Sequence, residues 1–223
     1  MSSALVGIVN FTPDSFSDGD ARMDAALACK KIEDQLMAGA VVVDIGAEST
    51  RPGATPLSAS EEWDRLSALF AMLAPQTGHW PLSLDTRHPD NAKRALDIGF
   101  RWINDVSGFV NPHMVEAVKH YECKLVMMHS LSVPADKALF VPETVDIIGL
   151  LDGFARAQLA SLQAQGVEAS RVIFDPGIGF GKTAATSRQI MQRIAEMKAL
   201  GVPILVGHSP VSYTHLRAHE TGR

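Results

Sequence analysis

The chain has 223 residues, of which 46% are hydrophobic and 20% charged, and its formal net charge is −5. This length supports one large domain with a sizeable core, or two small ones. The acidic balance argues against wholesale binding to nucleic acid or to an anionic membrane surface. No apolar run approaches the ~20 residues of a membrane span. The only two cysteines are far apart and lack metal-ligand spacing, which is typical of a reducing compartment, here the cytoplasm.

Short apolar runs alternate with amphipathic segments along the whole chain. The apolar runs predict seven β-strands, at about 4–10, 41–47, 81–86, 102–108, 123–129, 171–177 and 203–209. Between them the pattern predicts helices at about 22–38, from the capping box at 58–61 onward, in a short segment ending near Gly99, at 111–120, within 143–165 and at 186–200. We find no linker and expect a single domain.

Alternation of apolar strands with helices predicts a parallel sheet covered by helices, and two architectures fit it. One is a closed (β/α)8 barrel and the other a doubly wound open sheet. Polar residues end six of the runs, and a barrel gathers all such ends at one mouth, whereas an open sheet concentrates its site at one switch point. We therefore expect an α/β, TIM-type (β/α)8 barrel, incomplete with seven recognisable strands. The polar ends are Asn10, Asp44, Asp85, Asn104–Asp105, His129 and Asp175.

Two of these strand ends carry carboxylates that suit a particular ligand. Asp85 or Asp175 alone is as well explained as a helix cap or turn former. Together with Asn104 they place two carboxylates and an amide at one mouth. This set matches a flat heterocycle with adjacent N–H donors, because one carboxylate accepts two parallel N–H bonds.

Two loop motifs leave their alternatives open. The segment "DPGIGFGKT" at 175–183 fails the P-loop pattern because Pro176 stands where Gly is needed, so its glycines indicate close backbone approach to a ligand, with Lys182 free or capping. The segment "ESTRPG" at 48–53 carries hydroxyls and Arg51, which suit an oxyanion or phosphate but are also common in solvated loops. His129 is at least as well explained as a core histidine as a catalytic one.

Six motifs, in this order and spacing, resemble those of dihydropteroate synthases: "GIVNFTPDSFSDGD", "VDIGAESTRPGATP", "SLDT", "WINDVSGF", "LVMMHS" and "VIFDPGIGFGKT". The resemblance implies a TIM barrel and a transferase of folate biosynthesis that is a sulfonamide target. Its substrates are 6-hydroxymethyl-7,8-dihydropterin pyrophosphate and p-aminobenzoate, with Mg2+ as cofactor. It also implies a homodimer for a complete chain.

The resemblance assigns roles to individual residues. Asn10 matches the metal-site asparagine, and Asp85 and Arg51 match residues with catalytic roles. The substrate-binding set that it implies is Thr50, Arg51, Asp85, Asn104, Met128, Asp175, Gly179, Phe180, Gly181 and Ser209. The loop after the first strand resembles a lid, in which Phe11 or Phe16 forms a wall for the aminobenzoate ring. The alternative for each phenylalanine is an anchor in the core.

The resemblance stops near residue 209. Pro210 and Val211 stand where the family has arginine and lysine, and residues 210–223 lack the apolar run of an eighth strand. We therefore expect a pterin-binding barrel domain at 1–209 and a non-native tail at 210–223. The competing interpretations are a non-synthase pterin-binding module, of the methyltetrahydrofolate-binding type, and an inactive fragment.

Overall fold

Six parallel strands form one sheet in the order in which they occur along the chain. The computed structural model describes residues 3–12, 21–48, 55–133, 135–136 and 138–207. Its strands are β1 (Val6–Asn10), β2 (Val42–Gly46), β3 (Leu82–Asp85), β4 (Trp102–Asp105), β5 (Lys124–Met128) and β6 (Val172–Asp175). Each strand pairs with the next, in the order β1-β2-β3-β4-β5-β6. A doubly wound sheet needs a reversal of strand order, so that alternative is wrong and the barrel order is confirmed.

The helices connect these strands and cover the outer face of the sheet. They are α1 (Ala21–Met37), α2 (Ala59–Leu73), α3 (Pro89–Asp97), α4 (Pro112–Val118), α5 (Ile147–Ala164) and α6 (Ala184–Arg193). The capping box of α2 is confirmed, because Ser58 Oγ accepts from the Glu61 N–H and the Glu61 carboxylate accepts from the Ser58 N–H. The predicted last helix continues beyond α6 only as a 3-10 segment, Ile194–Leu200.

The predicted seventh strand is much shorter than expected in the described part of the chain. Between 201 and 207 only Ile204 forms a β-bridge, parallel to Phe174 of β6. The Phe174 N–H donates to the Pro203 carbonyl at 2.9 Å, and the Leu205 N–H donates to the Phe174 carbonyl at 2.9 Å. This segment therefore begins a seventh parallel pairing on the outer edge of β6.

Side chains alternate along each strand and so divide the sheet into two faces. On β2 and β3, Val43, Ile45, Leu82 and Leu84 are fully buried and form the core with the helices. Their neighbours Asp44 and Asp85 are only partly buried, on the opposite, inner face. The apolar face thus builds the core, while the inner face is left for polar chemistry.

Candidate functional site

The sheet register places three predicted site positions side by side. Asn10 of β1 pairs with Gly46 of β2, Gly46 pairs with Asp85 of β3, and Asp85 pairs with Asn104 of β4. The Asp85 carboxylate lies against Gly46, because a Cβ atom there would be in ordinary contact with Asp85 Oδ2, at 3.4 Å. The carboxyl ends of four strands therefore present one amide, one carboxylate and another amide in a row.

Asn104 is also tied to a carboxylate two strands away. Its Nδ2 donates to Asp44 Oδ2 at 2.9 Å. Asn104 Oδ1 and Asp44 Oδ1 are buried and have no hydrogen-bond partner among the described residues. Buried acceptors without donors cost about 1–3 kcal/mol each, so this pair is well suited to a ligand that brings N–H groups.

Asp85 lies in strongly acidic surroundings. Burial of its carboxyl raises its pKa well above the usual value, and the carboxyls of Asp44, Glu62 and Asp105 raise the pKa further. Burial also raises the pKa of Asp44, against the neighbouring Ser83 hydroxyl and the Asn104 amide, which lower it. The site therefore disfavours additional negative charge and favours N–H donors or positive charge.

Asp175 ends β6 in a different setting. Its Oδ1 accepts from the Gly177 N–H at 2.7 Å, and only 6% of the residue is exposed. Burial raises its pKa to about 6, while the Gly177 N–H and the charge of Lys182 lower it. Met128 of β5 pairs with Asp175 and is also buried, so this predicted lining residue lies next to the carboxylate.

Lys182 is neither free nor a helix cap, which corrects the expectation from the sequence. Its Nζ donates to the His129 carbonyl at 2.7 Å and lies 2.7 Å from His129 Nδ1. The cap of α6 is instead Thr183, whose side chain accepts from the Thr186 N–H. His129 is buried against Phe154, with ring centroids 4.9 Å apart. The β5 and β6 ends are therefore joined through a lysine and a histidine.

The glycine-rich turn after β6 approaches β5 too closely for side chains. Gly177 has φ 65°, and a Cβ atom there would lie 2.0 Å from the His129 carbonyl oxygen. Gly181 has φ 70°, and its Cβ would lie 2.6 Å from the Leu131 side chain. Between them Gly179 is exposed and Phe180 is half-buried. The motif glycines thus allow packing of one turn on another, beside Asp175.

Asn10 and Phe11 follow each other at the end of β1 but differ in exposure. Asn10 is exposed at the mouth, whereas Phe11 is 8% exposed and belongs to the hydrophobic core. The Phe11 N–H donates to the Gly46 carbonyl at 2.7 Å. This packing corresponds to the alternative role for Phe11, an anchor in the core.

The exposed amide oxygen of Asn10 fits Mg2+, which prefers oxygen ligands and takes few of them from protein.

Several predicted positions lie outside the described residues. These are Thr50, Arg51, Phe16, Ser209 and the tail 210–223. Their assigned roles remain predictions.

Sequence reasoning missed an acid network behind β3. The Glu48 carboxylate is held by Arg87, with Nε to Oε2 at 3.0 Å and Nη2 to Oε1 at 2.9 Å. The fully buried Glu62 accepts from Thr86 Oγ1 at 2.6 Å and from Asn91 Nδ2 at 2.7 Å. A signal existed, because Glu62 occupies the helical stripe shared with Leu66, Leu69 and Leu73 of α2.

Part of this network has the spacing of a metal site. Glu48, Glu62 and His88 each bring one ligand atom within 4.8 Å of the others. Both Glu48 oxygens already accept from Arg87, whose guanidinium repels a cation, and imidazole is a poor ligand for Mg2+. We therefore interpret these residues as a hydrogen-bonded support for the strand ends.

Comparison with known proteins identifies the family. A family described as pterin binding enzyme matches residues 6–222. The dihydropteroate synthase of Synechocystis sp. is 34% identical over 210 residues, covering 94% of this chain and 72% of that enzyme. The chain belongs to the dihydropteroate synthase family. Bifunctional relatives that include a folylpolyglutamate synthase are longer, and the chain spans about a quarter of their length, 25% and 26%.

Solved dihydropteroate synthase structures share the fold. The enzyme from Xanthomonas albilineans with 4-aminobenzoic acid has a TM-score of 0.85 and 34% identity, covering 96% of this chain and 76% of that one. The enzyme from Anaplasma phagocytophilum with bound 6-hydroxymethylpterin-monophosphate has a TM-score of 0.83 and 32% identity, covering 93% and 79%. The TIM-type barrel expected from the sequence is confirmed.

Among the described residues, no helix combines the length and apolarity that crossing a membrane requires.

Proposed function

We propose that the chain is a dihydropteroate synthase that joins 6-hydroxymethyl-7,8-dihydropterin pyrophosphate to p-aminobenzoate and releases pyrophosphate. The observation that carries this proposal is the convergence of Asp44, Asp85, Asn104 and Asp175 on the inner face of the sheet. Membership of the dihydropteroate synthase family supports it, as do relatives solved with a pterin and with 4-aminobenzoic acid.

The pterin ring is expected to fill the unsatisfied polar positions of this face. Asp44 Oδ1 and Asn104 Oδ1 are buried acceptors, and a pterin edge carries several N–H donors. Asp175 is the second anchor, because one carboxylate accepts two parallel N–H bonds. Met128 and the turn at Gly179, Phe180 and Gly181 are expected to border the ring.

The carboxyls around Asp85 suit a dissociative reaction. An arylamine is already a nucleophile, so the reaction needs no strong base. Loss of the diphosphate leaves positive charge on the exocyclic carbon of the pterin. Asp85 lies among the carboxyls of Asp44, Glu62 and Asp105, and their combined field stabilises such a cation.

The leaving group requires positive charge and oxygen ligands at the mouth. Asn10 would hold Mg2+ through its amide oxygen. Mg2+ bound there supplies charge that stabilises the departing diphosphate. Thr50 and Arg51 are proposed to contact the substrate and the diphosphate, and Ser209 the substrate. Phe16 is proposed as the wall for the aminobenzoate ring, with Phe11 anchoring the start of its loop in the core.

Three further expectations belong to the same proposal. A cytoplasmic location is supported by the two free cysteines, Cys29 and Cys123. A homodimer is expected, which size-exclusion chromatography with light scattering would test. Residues 210–223 are proposed to be a non-native tail that lowers activity, since cationic ligands of the ring and diphosphate are replaced there.

The test is pyrophosphate release that depends on p-aminobenzoate, with Mg2+ present. The purified chain is assayed beside a variant in which 210–223 are replaced by a family-like ending that begins Arg-Lys-Ser. Pyrophosphate release that requires both substrates, by either chain, supports the proposed synthase activity. Tight pterin binding without aminobenzoate-dependent release by either chain would instead favour the non-synthase binding module.

A further inference from the structure

The Lys182 ammonium group occupies a position that the substrate assignments do not use. Lys182 is 8% exposed, although lysine is among the residues that are least often buried. Its two hydrogen-bond partners belong to one residue, the carbonyl oxygen and Nδ1 of His129, both at 2.7 Å. A surface lysine that happened to fold inward would not explain two short contacts at the end of β5.

The two contacts fix the protonation of His129. An ammonium group only donates hydrogen bonds, so His129 Nδ1 must accept and carry no proton. Burial lowers the pKa of His129 to about 4, and the charge of Lys182 lowers it too. Between about pH 4 and pH 7 the pair therefore carries a single positive charge, and that charge lies on the lysine.

A short chain of hydrogen bonds links this charge to Asp175. The backbone N–H of His129 donates to the backbone carbonyl of Asp175 at 2.9 Å, and the backbone carbonyl of His129 accepts from Lys182 Nζ. The Gly177 N–H donates to Asp175 Oδ1, and a Cβ on Gly177 would lie 3.1 Å from Lys182 Nζ. Lys182 therefore closes the glycine-rich turn on the strand end that carries Asp175.

The geometry points to Lys182 as a positioning residue that keeps the Asp175 carboxylate ionised and fixes the turn that presents it. The importance of this for binding rests on the proposed function, in which Asp175 holds the pterin. The effect on Asp175 itself does not depend on any substrate.

The charges around Asp175 give the direction of the effect. Burial raises the Asp175 pKa to about 6, Lys182 lowers it, and Asp44 raises it. Burial lowers the Lys182 pKa to about 7, and Asp175 opposes that shift. His129, the third titratable group at this corner, is neutral near pH 7. Removing the lysine charge therefore raises the Asp175 pKa toward neutral pH. A protonated Asp175 carboxyl no longer offers two acceptor oxygens to a pair of N–H donors.

The experiment follows the 13C carboxyl shift of Asp175 between pH 5 and 8.5, with the signal assigned by its absence in Asp175→Asn. Lys182→Gln removes the charge but keeps a donor for the His129 carbonyl. We expect the Asp175 midpoint to rise by about one pH unit in Lys182→Gln. Lys182→Arg, which keeps the charge, should stay near the wild-type midpoint. The matched control is Lys198→Gln, the same change at an exposed lysine, which should leave the midpoint unchanged.

An unchanged Asp175 midpoint in folded Lys182→Gln overturns the inference. The wild-type chain provides a second arm in case that variant does not fold. There the 15N shift of Lys182 Nζ should report a charged ammonium group at pH 6, where Asp175 titrates, and a neutral amine at that pH overturns the inference as well.

Binding of 6-hydroxymethylpterin, measured by calorimetry, separates this inference from the proposed function. Affinity in Lys182→Gln should fall about twofold at pH 7 and about tenfold near pH 5, and it should approach the wild-type affinity at pH 8.5, where the carboxyl is ionised in both chains. A moved Asp175 midpoint with no pterin binding by the wild-type chain would leave the Lys182 inference standing and remove the proposed function.

Discussion

Carboxylates end strands in two regions of the inner face, and the regions differ in what balances their charge. At β2 to β4, Asp85 faces other carboxyls, and all of them raise its pKa. At β6, Asp175 faces Lys182 and two backbone N–H groups, which lower its pKa against burial. The first region is therefore stabilised by a ligand that brings positive charge, whereas the second is already organised as an anion. Burial alone does not determine what a carboxylate does; its neighbours decide.

The largest effect is expected from a substitution in the acidic region at β2 to β4. Asp85→Asn removes a carboxylate from the place where positive charge develops, so aminobenzoate-dependent pyrophosphate release should fall about 10²–10³-fold. Steady-state kinetics measures it, with Asp90→Asn, an exposed acid on α3, as the control with wild-type rates. A rate within about threefold of wild type would show that the acidic field does not act on the reaction.

The second prediction concerns a substitution of Asp175, the carboxylate at the end of β6. Asp175→Asn replaces one acceptor by a donor and should weaken 6-hydroxymethylpterin binding by about 2–4 kcal/mol. Calorimetric titration measures the loss. The exposed Asp64→Asn on α2 should bind as the wild-type chain does. Equal affinity in Asp175→Asn would contradict the assignment of this carboxylate to the pterin edge.

The third prediction uses pH to sharpen the comparison. The folded-state pKa of His129 is lowered to about 4. The unfolded chain therefore binds more protons than the folded one between about pH 4 and 6.5, and stability from this group is lost as pH falls through that window. The raised pKa of Asp175 acts in the opposite direction below pH 6.

His129→Asn keeps an acceptor near Nδ1 and removes the titration. Between pH 7 and pH 4 the free energy of unfolding of this variant should rise relative to wild type by about 1–3 kcal/mol. Urea unfolding at a series of pH values measures the difference. Parallel pH profiles for the two chains would mean that His129 is not held neutral in the fold.

The smallest effect separates local charge from general stability. Ser58→Ala removes the capping-box acceptor at the start of α2 and should cost about 1 kcal/mol of unfolding free energy. The matched Ser67→Ala lies within α2 and should change stability little. Pterin affinity should be equal in both variants, and a loss in Ser58→Ala alone would show that the site responds to overall stability.

Much of the fold could be predicted because each strand leaves two signals, an apolar run and a polar end. The predicted runs exceed the strands at one or both ends, since residues such as Thr86 and Gly177 already lie beyond the paired residues. The seventh run carries the same signals, but only Ile204 pairs in the described part of the chain. Strand pairing depends on neighbours that an apolar run does not reveal.

The sequence predicted those residues of the candidate site that lie at the ends of apolar runs. Asp85, Asn104 and Asp175 carry the pattern themselves. The bond between Asp44 and Asn104 depends on the register of three strands, and the contact of Lys182 with His129 crosses between two turns. Such contacts are set by tertiary packing, so local sequence leaves them open. Glu62 is different, because its place in an apolar helical stripe was visible in advance.

The strict order of the sheet has a consequence for synthesis on the ribosome. Within the described residues each strand from β2 to β6 pairs with the one made just before it, and the widest spacing between paired strand residues joins Leu125 to Val172. Each new unit can therefore dock on a finished edge soon after it emerges, without waiting for distant parts of the polypeptide. Parallel sheets usually form slowly because their pairings are remote, but here translation itself delivers the partners in the order of assembly.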